Sequence, residues 1–172
     1  LTDGSTLGIL ASLATAASPG DAVLVDRGCH RSVFHGMALL DLQPAYVVPA
    51  LWEPFGVSAG VTPAQVDAAL TAQPARAVLV TSPTYYGVCC DVAGLARVCH
   101  AHGAALIVDQ AHGAHFPFVG RRNACAEGAD YAVASAHKTL PALGGGALLF
   151  TAGDTAVVRQ WASVFGSTSP SY

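Results

Sequence analysis

The feature that most constrains this chain is its alternation of short apolar runs with segments of helical spacing. Runs such as residues 77–80 and 104–108 are apolar at every position, not at alternate positions. Strands of this kind are buried on both faces, and strands separated by helices pair in parallel under covering helices. The pattern therefore predicts an α/β fold, a three-layer α/β/α sandwich around a mostly parallel sheet.

Cap and turn residues mark where these segments begin and end. Thr62 followed by Pro63 is typical of a helix start, Asp91 is predicted to cap the next helix, and Gly103 is predicted to stop it. Residues 49–60 hold two prolines and two glycines and are predicted to form an irregular loop. The predicted strands are residues 22–25, 45–48, 77–80, 104–108, 131–134 and 147–150, and the predicted helices are residues 30–40, 62–72, 91–102 and 155–163.

Composition limits the possible partners. Only 11% of the 172 residues are charged, against about 25% in a typical domain, so we expect much of the surface to be covered by a partner subunit or a further domain. No apolar run approaches the roughly 18 residues of a membrane span, and a net charge of −3 without a basic stripe argues against nucleic acid. Five cysteines without a Cys-x-x-Cys pair predict reduced thiols in a cytoplasmic protein.

Polar residues follow the predicted strands at the edge where open α/β sheets bind ligands. One group follows residues 104–108, a second follows residues 131–134, and a histidine follows the first strand after a short turn. Each such residue alone is more often a helix cap or a hydrogen-bonded polar group than a functional one. The residues are His30, Asp109, His112, His115, Ser135, His137 and Lys138.

Three of the features together indicate a cofactor. Lys138 is the single lysine of the chain and precedes a glycine-rich stretch, where an amine can attack carbonyl carbons. Ser5 and Thr6 begin a helical stretch, where hydroxyls and backbone N–H groups can bind a phosphate. An ionised Asp109 beside a pyridine nitrogen would keep that nitrogen protonated. An amine, an acid and a phosphate cradle are what pyridoxal 5′-phosphate (PLP) requires.

Six segments carry a resemblance to a known family. They are Asp-Gly-Ser-Thr-Leu-Gly (3–8), Asp-Arg-Gly-Cys-His-Arg-Ser-Val (26–33), Thr-Ser-Pro-Thr-Tyr-Tyr-Gly-Val (81–88), Asp-Gln-Ala-His-Gly-Ala-His-Phe (109–116), Ser-Ala-His-Lys-Thr-Leu-Pro-Ala-Leu (135–143) and Ser-Thr-Ser-Pro-Ser-Tyr (167–172). In this order they resemble segments of the fold-type I PLP-dependent ornithine, lysine and arginine decarboxylases. Gln110 departs from the family's usual Glu, which removes a carboxylate close to the predicted site, and residues 144–146 depart from the usual Thr-Gln-Gly.

The resemblance implies a role for each matching residue. Lys138 would hold PLP as a Schiff base, Asp109 would pair with the pyridine nitrogen, and His30 would stack on the ring. The remaining implied contacts are His112 near the phenolic oxygen, Ser5, Thr6, Ser135 and His137 at or beside the phosphate, and Thr84 and Tyr85 in the wall of the substrate pocket.

The same resemblance implies an activity and an assembly. The chain is expected to belong to a cytoplasmic decarboxylase of a basic amino acid (ornithine, lysine or arginine) that forms a homodimer or a larger homo-oligomer. Residues 1–172 are expected to be part of the large, PLP-binding domain of the fold-type I transferase fold. An N-terminal segment and a C-terminal small domain are expected to lie outside the chain.

Three other interpretations remain open at this point. An aminotransferase or another fold-type I lyase would use the same cofactor residues. A truncated homologue could be a non-catalytic interaction module. A metal-dependent hydrolase could bind zinc through Asp109, His112 and His115, with His100 or His102 nearby, although this leaves Lys138 without a role.

Overall fold

The computed structural model describes residues 1–169, so residues 170–172 of the last matching segment lie outside the described residues. The helices and strands follow one another along the chain much as the sequence predicts. The strands are Thr2–Asp3 (β1), Ala22–Asp26 (β2), Gln43–Val47 (β3), Leu51–Trp52 (β4), Val57–Ser58 (β5), Ala77–Thr81 (β6), Ala105–Asp109 (β7), Tyr131–Ser135 (β8) and Gly146–Thr151 (β9), and the helices are Gly4–Ala16 (α1), Arg31–Leu39 (α2), Pro63–Ala72 (α3), Val92–Ala101 (α4), Ala136–Thr139 (α5) and Thr155–Phe165 (α6), with short 3₁₀ helices at Phe116–Val119 and Ala124–Glu127.

Seven strands form one sheet in the order β1-β9-β8-β7-β6-β2-β3. The five strands β8, β7, β6, β2 and β3 are parallel, whereas β9 runs antiparallel to both β8 and β1. Only residues 136–145 connect β8 to β9, which is too short for the crossover of a dozen or more residues that a parallel pair requires. The mostly parallel sheet of the predicted α/β fold is confirmed, with an antiparallel strand pair at one edge.

Helices cover the sheet on both faces. Helices α1 and α2 contribute buried side chains to the core on one face, and α3 and α4 contribute to the core on the other. Side chains of the central strands point alternately into the two cores and are fully buried. This arrangement confirms the three-layer sandwich. The core under α1 and α2 contains Leu79, Ile107 and Val133, and the core under α3 and α4 contains Val80, Leu106 and Ala132.

The predicted helix caps form as expected. Thr62 accepts a hydrogen bond from the Gln65 backbone N–H, and the Gln65 side chain binds the Thr62 backbone N–H in return. Asp91 accepts from the Gly94 N–H at 2.8 Å, and Gly103 ends α4 at a backbone φ of +69°.

The prediction of an irregular loop at residues 49–60 was wrong in part. Strands β4 and β5 pair there as a small antiparallel hairpin, on which the rings of Trp52 and Phe55 meet edge to face with centroids 5.4 Å apart. Two-residue strands are too short to leave an alternating pattern in the sequence. Within residues 1–169, every helix falls short of the length and apolar character needed to span a bilayer.

Helix α1 lies unusually close to the sheet. A Cβ atom at Gly8 would be only 2.7 Å from Cγ1 of Val133, so the absence of a side chain allows this approach. The close packing fixes the first turn of α1, which holds Ser5, at the carboxyl edge of β8.

Candidate active site

A cleft of about 150 Å³ opens at the carboxyl edge of the parallel strands. From β2 the chain crosses to β3 on one side and, after α3, to β6 on the other, so the strand order reverses between β2 and β6. Loops that leave adjacent strands in opposite directions create a crevice at such a point. The residues that line the cleft are Ser5, Gly28, His30, Thr81, Tyr85, Asp109, Ala111, His112 and Lys138.

Neighbouring strands direct polar side chains to one face of the sheet at this edge. Thr81 pairs in register with Asp109, and Asp109 pairs with Val133, two residues before Ser135. Residues in register, and residues two apart on a strand, point to the same face. Thr81, Asp109 and Ser135 therefore lie on the face that α1 and α2 cover.

Asp109 is the buried acid of the cleft, with 4% of its surface exposed. Its Oδ1 accepts a hydrogen bond from the Ala111 N–H at 3.1 Å. Burial raises the pKa of this carboxyl, while the Ala111 hydrogen bond and the charges of Lys138 and His30 oppose the rise. A cation placed against Asp109, such as a protonated ring nitrogen, would favour its ionised form.

His30 is held by the start of α2. It is the N-cap residue, and its Nδ1 accepts from the Ser32 backbone N–H at 3.2 Å and lies 2.9 Å from the Ser32 hydroxyl oxygen. Because a backbone N–H can only donate, Nδ1 carries no proton in this arrangement and the neutral ring carries its proton on Nε2. The helix cap thus fixes both the position and the tautomer of a ring that borders the cleft.

Lys138 and His112 reach the cleft from two other elements. Lys138 lies on α5 with an exposed side chain, and His112 follows β7 and is half-buried. The His112 ring meets the Tyr85 ring edge to face with centroids 5.6 Å apart. Burial lowers the pKa of His112, and the nearby positive charges of Lys138 and His30 lower it further.

Four of the predicted site residues do not line the cleft. Thr6 is exposed on α1, and the His137 Nδ1 donates to the Gly146 carbonyl at 2.9 Å. Thr84 is buried beside a neighbouring cavity, where its Oγ1 accepts from the Val88 N–H. Ser135 is fully buried at the end of β8. The binding roles of these residues remain predictions.

Two buried hydroxyls at this edge lack hydrogen-bond partners. The Oγ1 of Thr81 and the Oγ of Ser135 have none among residues 1–169. Such groups are costly unless a ligand or water satisfies them, so they fit a site that receives a polar cofactor. Sequence reasoning missed Thr81 together with Gly28 and Ala111. The position of Thr81 at the end of an apolar strand was the available signal.

The structure places the Gln110 side chain outside the cleft. Its side chain is buried, and its Oε1 accepts from the Asn123 side-chain amide at 3.2 Å and the Ala124 N–H at 3.3 Å. Gln110 lines another pocket and not the cleft. Glutamine therefore supplies the acceptor that this loop requires, and its side chain does not enter the predicted cofactor site.

The metal-site alternative receives no support from the geometry. Asp109 and His112 line the cleft, whereas His115 lines the neighbouring cavity. His100 and His102 are paired with Asp130 and Asp67. Across residues 1–169, no three His, Cys, Asp or Glu side chains are grouped so that they could hold a metal ion.

Curated relatives match most or all of the chain. Uncharacterized protein YaaO of Bacillus subtilis is 38% identical over the whole chain, which covers 37% of that protein. Arginine decarboxylase of Halalkalibacterium halodurans is 32% identical over 78% of the chain and 28% of its own length. The chain thus spans little more than a third of the length of these relatives.

Solved structures share the fold at lower identity. The lysine decarboxylase LdcF of Francisella novicida superposes on 99% of the chain and 26% of its own, with a TM-score of 0.79 and 23% identity. The PLP-dependent protein YhfS of Escherichia coli matches 96% of the chain and 42% of its own, with a TM-score of 0.69 and 20% identity. The fold is that of the fold-type I PLP-dependent enzymes. The family model for the Orn/Lys/Arg decarboxylase major domain matches residues 1–172, and the chain therefore belongs to the Orn/Lys/Arg decarboxylase family.

Proposed function

We propose that this chain is the PLP-binding domain of a decarboxylase that acts on a basic amino acid. The observation that carries the proposal is the meeting of Lys138, Asp109, His30 and Ser5 in one cleft, although they come from four separate elements. An amine, a buried acid, an imidazole and a helix-start hydroxyl are the groups that PLP requires. The unpartnered Thr81 and Ser135 hydroxyls support the same cofactor.

Each residue has a definable task toward that cofactor. Lys138 would hold it covalently through the side-chain amine. Asp109 would hold a proton on the pyridine nitrogen, because a buried carboxylate favours an adjacent positive charge. His30 would cover one ring face, since its own orientation is fixed by the start of α2, and Ser5 would bind the phosphate. When bound, PLP supplies an electron sink for the pair left on the substrate Cα.

The remaining predicted contacts complete this assignment. His112 would donate to the phenolic oxygen, since its lowered pKa favours the neutral ring, which has one donor nitrogen. Thr6, Ser135 and His137 would surround the phosphate. Thr84 and Tyr85 would border the substrate.

The substrate class follows from the family and its relatives. The family model names ornithine, lysine and arginine, and four relatives at 32% identity are named arginine decarboxylase. Arginine is accordingly the first substrate to test. We also propose that the rest of the substrate site lies in a C-terminal small domain beyond this chain, because the relatives are much longer.

Assembly and location are part of the same proposal. The apolar side chains Phe118 and Tyr85 are more than three-quarters exposed, the latter at the cleft. A second copy of the protein would cover them in a homodimer. Five free cysteines agree with a reducing cytoplasm.

The test is a titration of the purified protein with PLP, followed by borohydride reduction and peptide mapping. A visible absorption band and a label on Lys138 are expected. Lys138→Ala should lose the label while keeping the fold, because the side chain is exposed, and Lys138→Arg keeps the charge as a matched control. Lys138 is the single lysine of the sequence, so a label on any other residue would refute the assignment.

A further inference from the structure

A second cavity adjoins the predicted cofactor cleft. Its volume is about 480 Å³, and it shares Tyr85 and His112 with the cleft. Thr139 lines this cavity, while the preceding residue, Lys138, lines the cleft. A molecule attached near Lys138 could therefore extend directly into the second cavity.

Several polar groups of the second cavity are able to donate hydrogen bonds. Thr139 Oγ1 and His115 Nδ1 are buried without a partner among residues 1–169. The Thr84 Oγ1 already accepts from the Val88 N–H at 3.2 Å, which leaves its own hydrogen to donate. Two of the four unpartnered buried polar atoms in the described part of the chain thus belong to residues that line this one space.

The charge of the second cavity is one-sided. Arg121 lines it, and its guanidinium lies 4.8 Å from the Phe116 ring centroid, which restricts the side chain. Arg121 also lines a neighbouring pocket with Asp91 and Glu127, but it forms no ion pair with a carboxylate of residues 1–169. The residues that line the second cavity include neither aspartate nor glutamate. A space with donors, one free cation and no acid selects an anionic group.

We propose that the second cavity binds the carboxylate of the amino-acid substrate, with Arg121 as the counter-ion and Thr84, Thr139 and His115 as hydrogen-bond donors. This inference rests on the proposed function for the identity of the ligand. The group that the cavity recognises is a carboxylate, and the amino-acid substrate and a free carboxylic acid both carry one. The same cavity repels a guanidinium or ammonium group, so the basic end of the substrate must point elsewhere.

The role of Arg121 has a kinetic signature. The ion pair is strongest in the bound substrate and weakens as the carboxylate leaves as neutral carbon dioxide. An interaction of this kind stabilises the ground state more than the transition state. Arg121→Gln should therefore raise KM about tenfold, as expected for loss of one charge-assisted contact, without lowering kcat.

The first experiment is calorimetric binding to the PLP-free protein, with L-arginine compared against agmatine, the same molecule without its carboxylate. L-arginine should bind at least tenfold more tightly. Arg121→Gln should remove that difference. Arg122→Gln is the matched control, since both arginines line the neighbouring pocket but only Arg121 lines the second cavity, and it should preserve the difference. Acetate and propionate test whether a free carboxylate competes.

The outcomes separate this inference from the proposed function. Equal affinity for the two ligands, no binding of either at millimolar concentration, or equal effects of the Arg121 and Arg122 variants would overturn the carboxylate site. Discrimination by Arg121 in a protein that fails to attach PLP would support the site and overturn only the cofactor proposal. Competition by acetate that equals competition by L-arginine would assign the site to free carboxylates and overturn the substrate identity.

Discussion

Substituting Gly8 by alanine tests the packing that holds α1 against the sheet. The new Cβ would lie 2.7 Å and 3.2 Å from the two γ-carbons of Val133, a fully buried residue in the middle of β8. A valine side chain in a packed strand has little freedom to rotate away. Either α1 or β8 must therefore shift by several tenths of an ångström.

Two opposing effects set the magnitude. Overpacking a core costs about 1–3 kcal/mol, and the short contact favours the upper half of that range. Replacing glycine by alanine within a helix contributes about 1 kcal/mol of stability. The expected net loss for Gly8→Ala is about 1–2 kcal/mol in the free energy of unfolding. Displacement of α1 should also weaken PLP binding, because Ser5 lies one turn before Gly8.

The assay is urea unfolding followed by circular dichroism, in the wild-type and Val133→Ala backgrounds. Val133→Ala alone should cost about 2–3 kcal/mol through lost burial and a cavity. In that background the Gly8→Ala methyl group would occupy the vacated space, so it should stabilise by about 1 kcal/mol. A change of the same sign in both backgrounds, or a Gly8→Ala protein as stable as wild type, would refute the packing argument.

Three further substitutions test individual residues. Burial raises the pKa of Asp109 in the folded protein. The protonated carboxyl costs no stability at pH values below its ordinary pKa near 3.8, whereas its ionisation destabilises the fold as the pH rises through the folded-state pKa. Asp109→Asn should therefore raise the melting temperature of the PLP-free protein at pH 7 but not at pH 3, and an equal effect at both would contradict this. Gln110→Glu should leave PLP affinity within about twofold, because the side chain faces Asn123 and not the cleft. A spectroscopic titration that shows a loss of PLP affinity of about tenfold or more would contradict this. Thr62→Ala should lower the free energy of unfolding by about 1 kcal/mol, because it removes the α3 cap. Thr71→Ala, on the exposed side of α3, is the control and should be nearly neutral in the same unfolding assay. Equal losses in the two variants would argue against the cap.

Much of the candidate site could be predicted from strand ends alone. Asp109 follows an apolar run, and the carboxyl ends of parallel strands meet at one edge of a sheet, so its approach to His30 and Lys138 follows from the fold class. The sequence did not identify Thr81 as a site residue. Its hydroxyl has no hydrogen-bond partner among residues 1–169, and whether a hydroxyl finds a partner depends on the residues that surround it in the folded protein.

The sequence by itself determined the class of fold, the order of the elements and the residue types available for chemistry. Apolar runs and cap residues act locally, so their effects can be read along the chain. Tertiary structure alone decided that β9 is antiparallel, that Gln110 binds the loop at Asn123, and that Arg121 and Thr139 line the same acid-free cavity. These features depend on which distant segments come together, and that is fixed by packing across the sheet and not by neighbouring residues in the sequence.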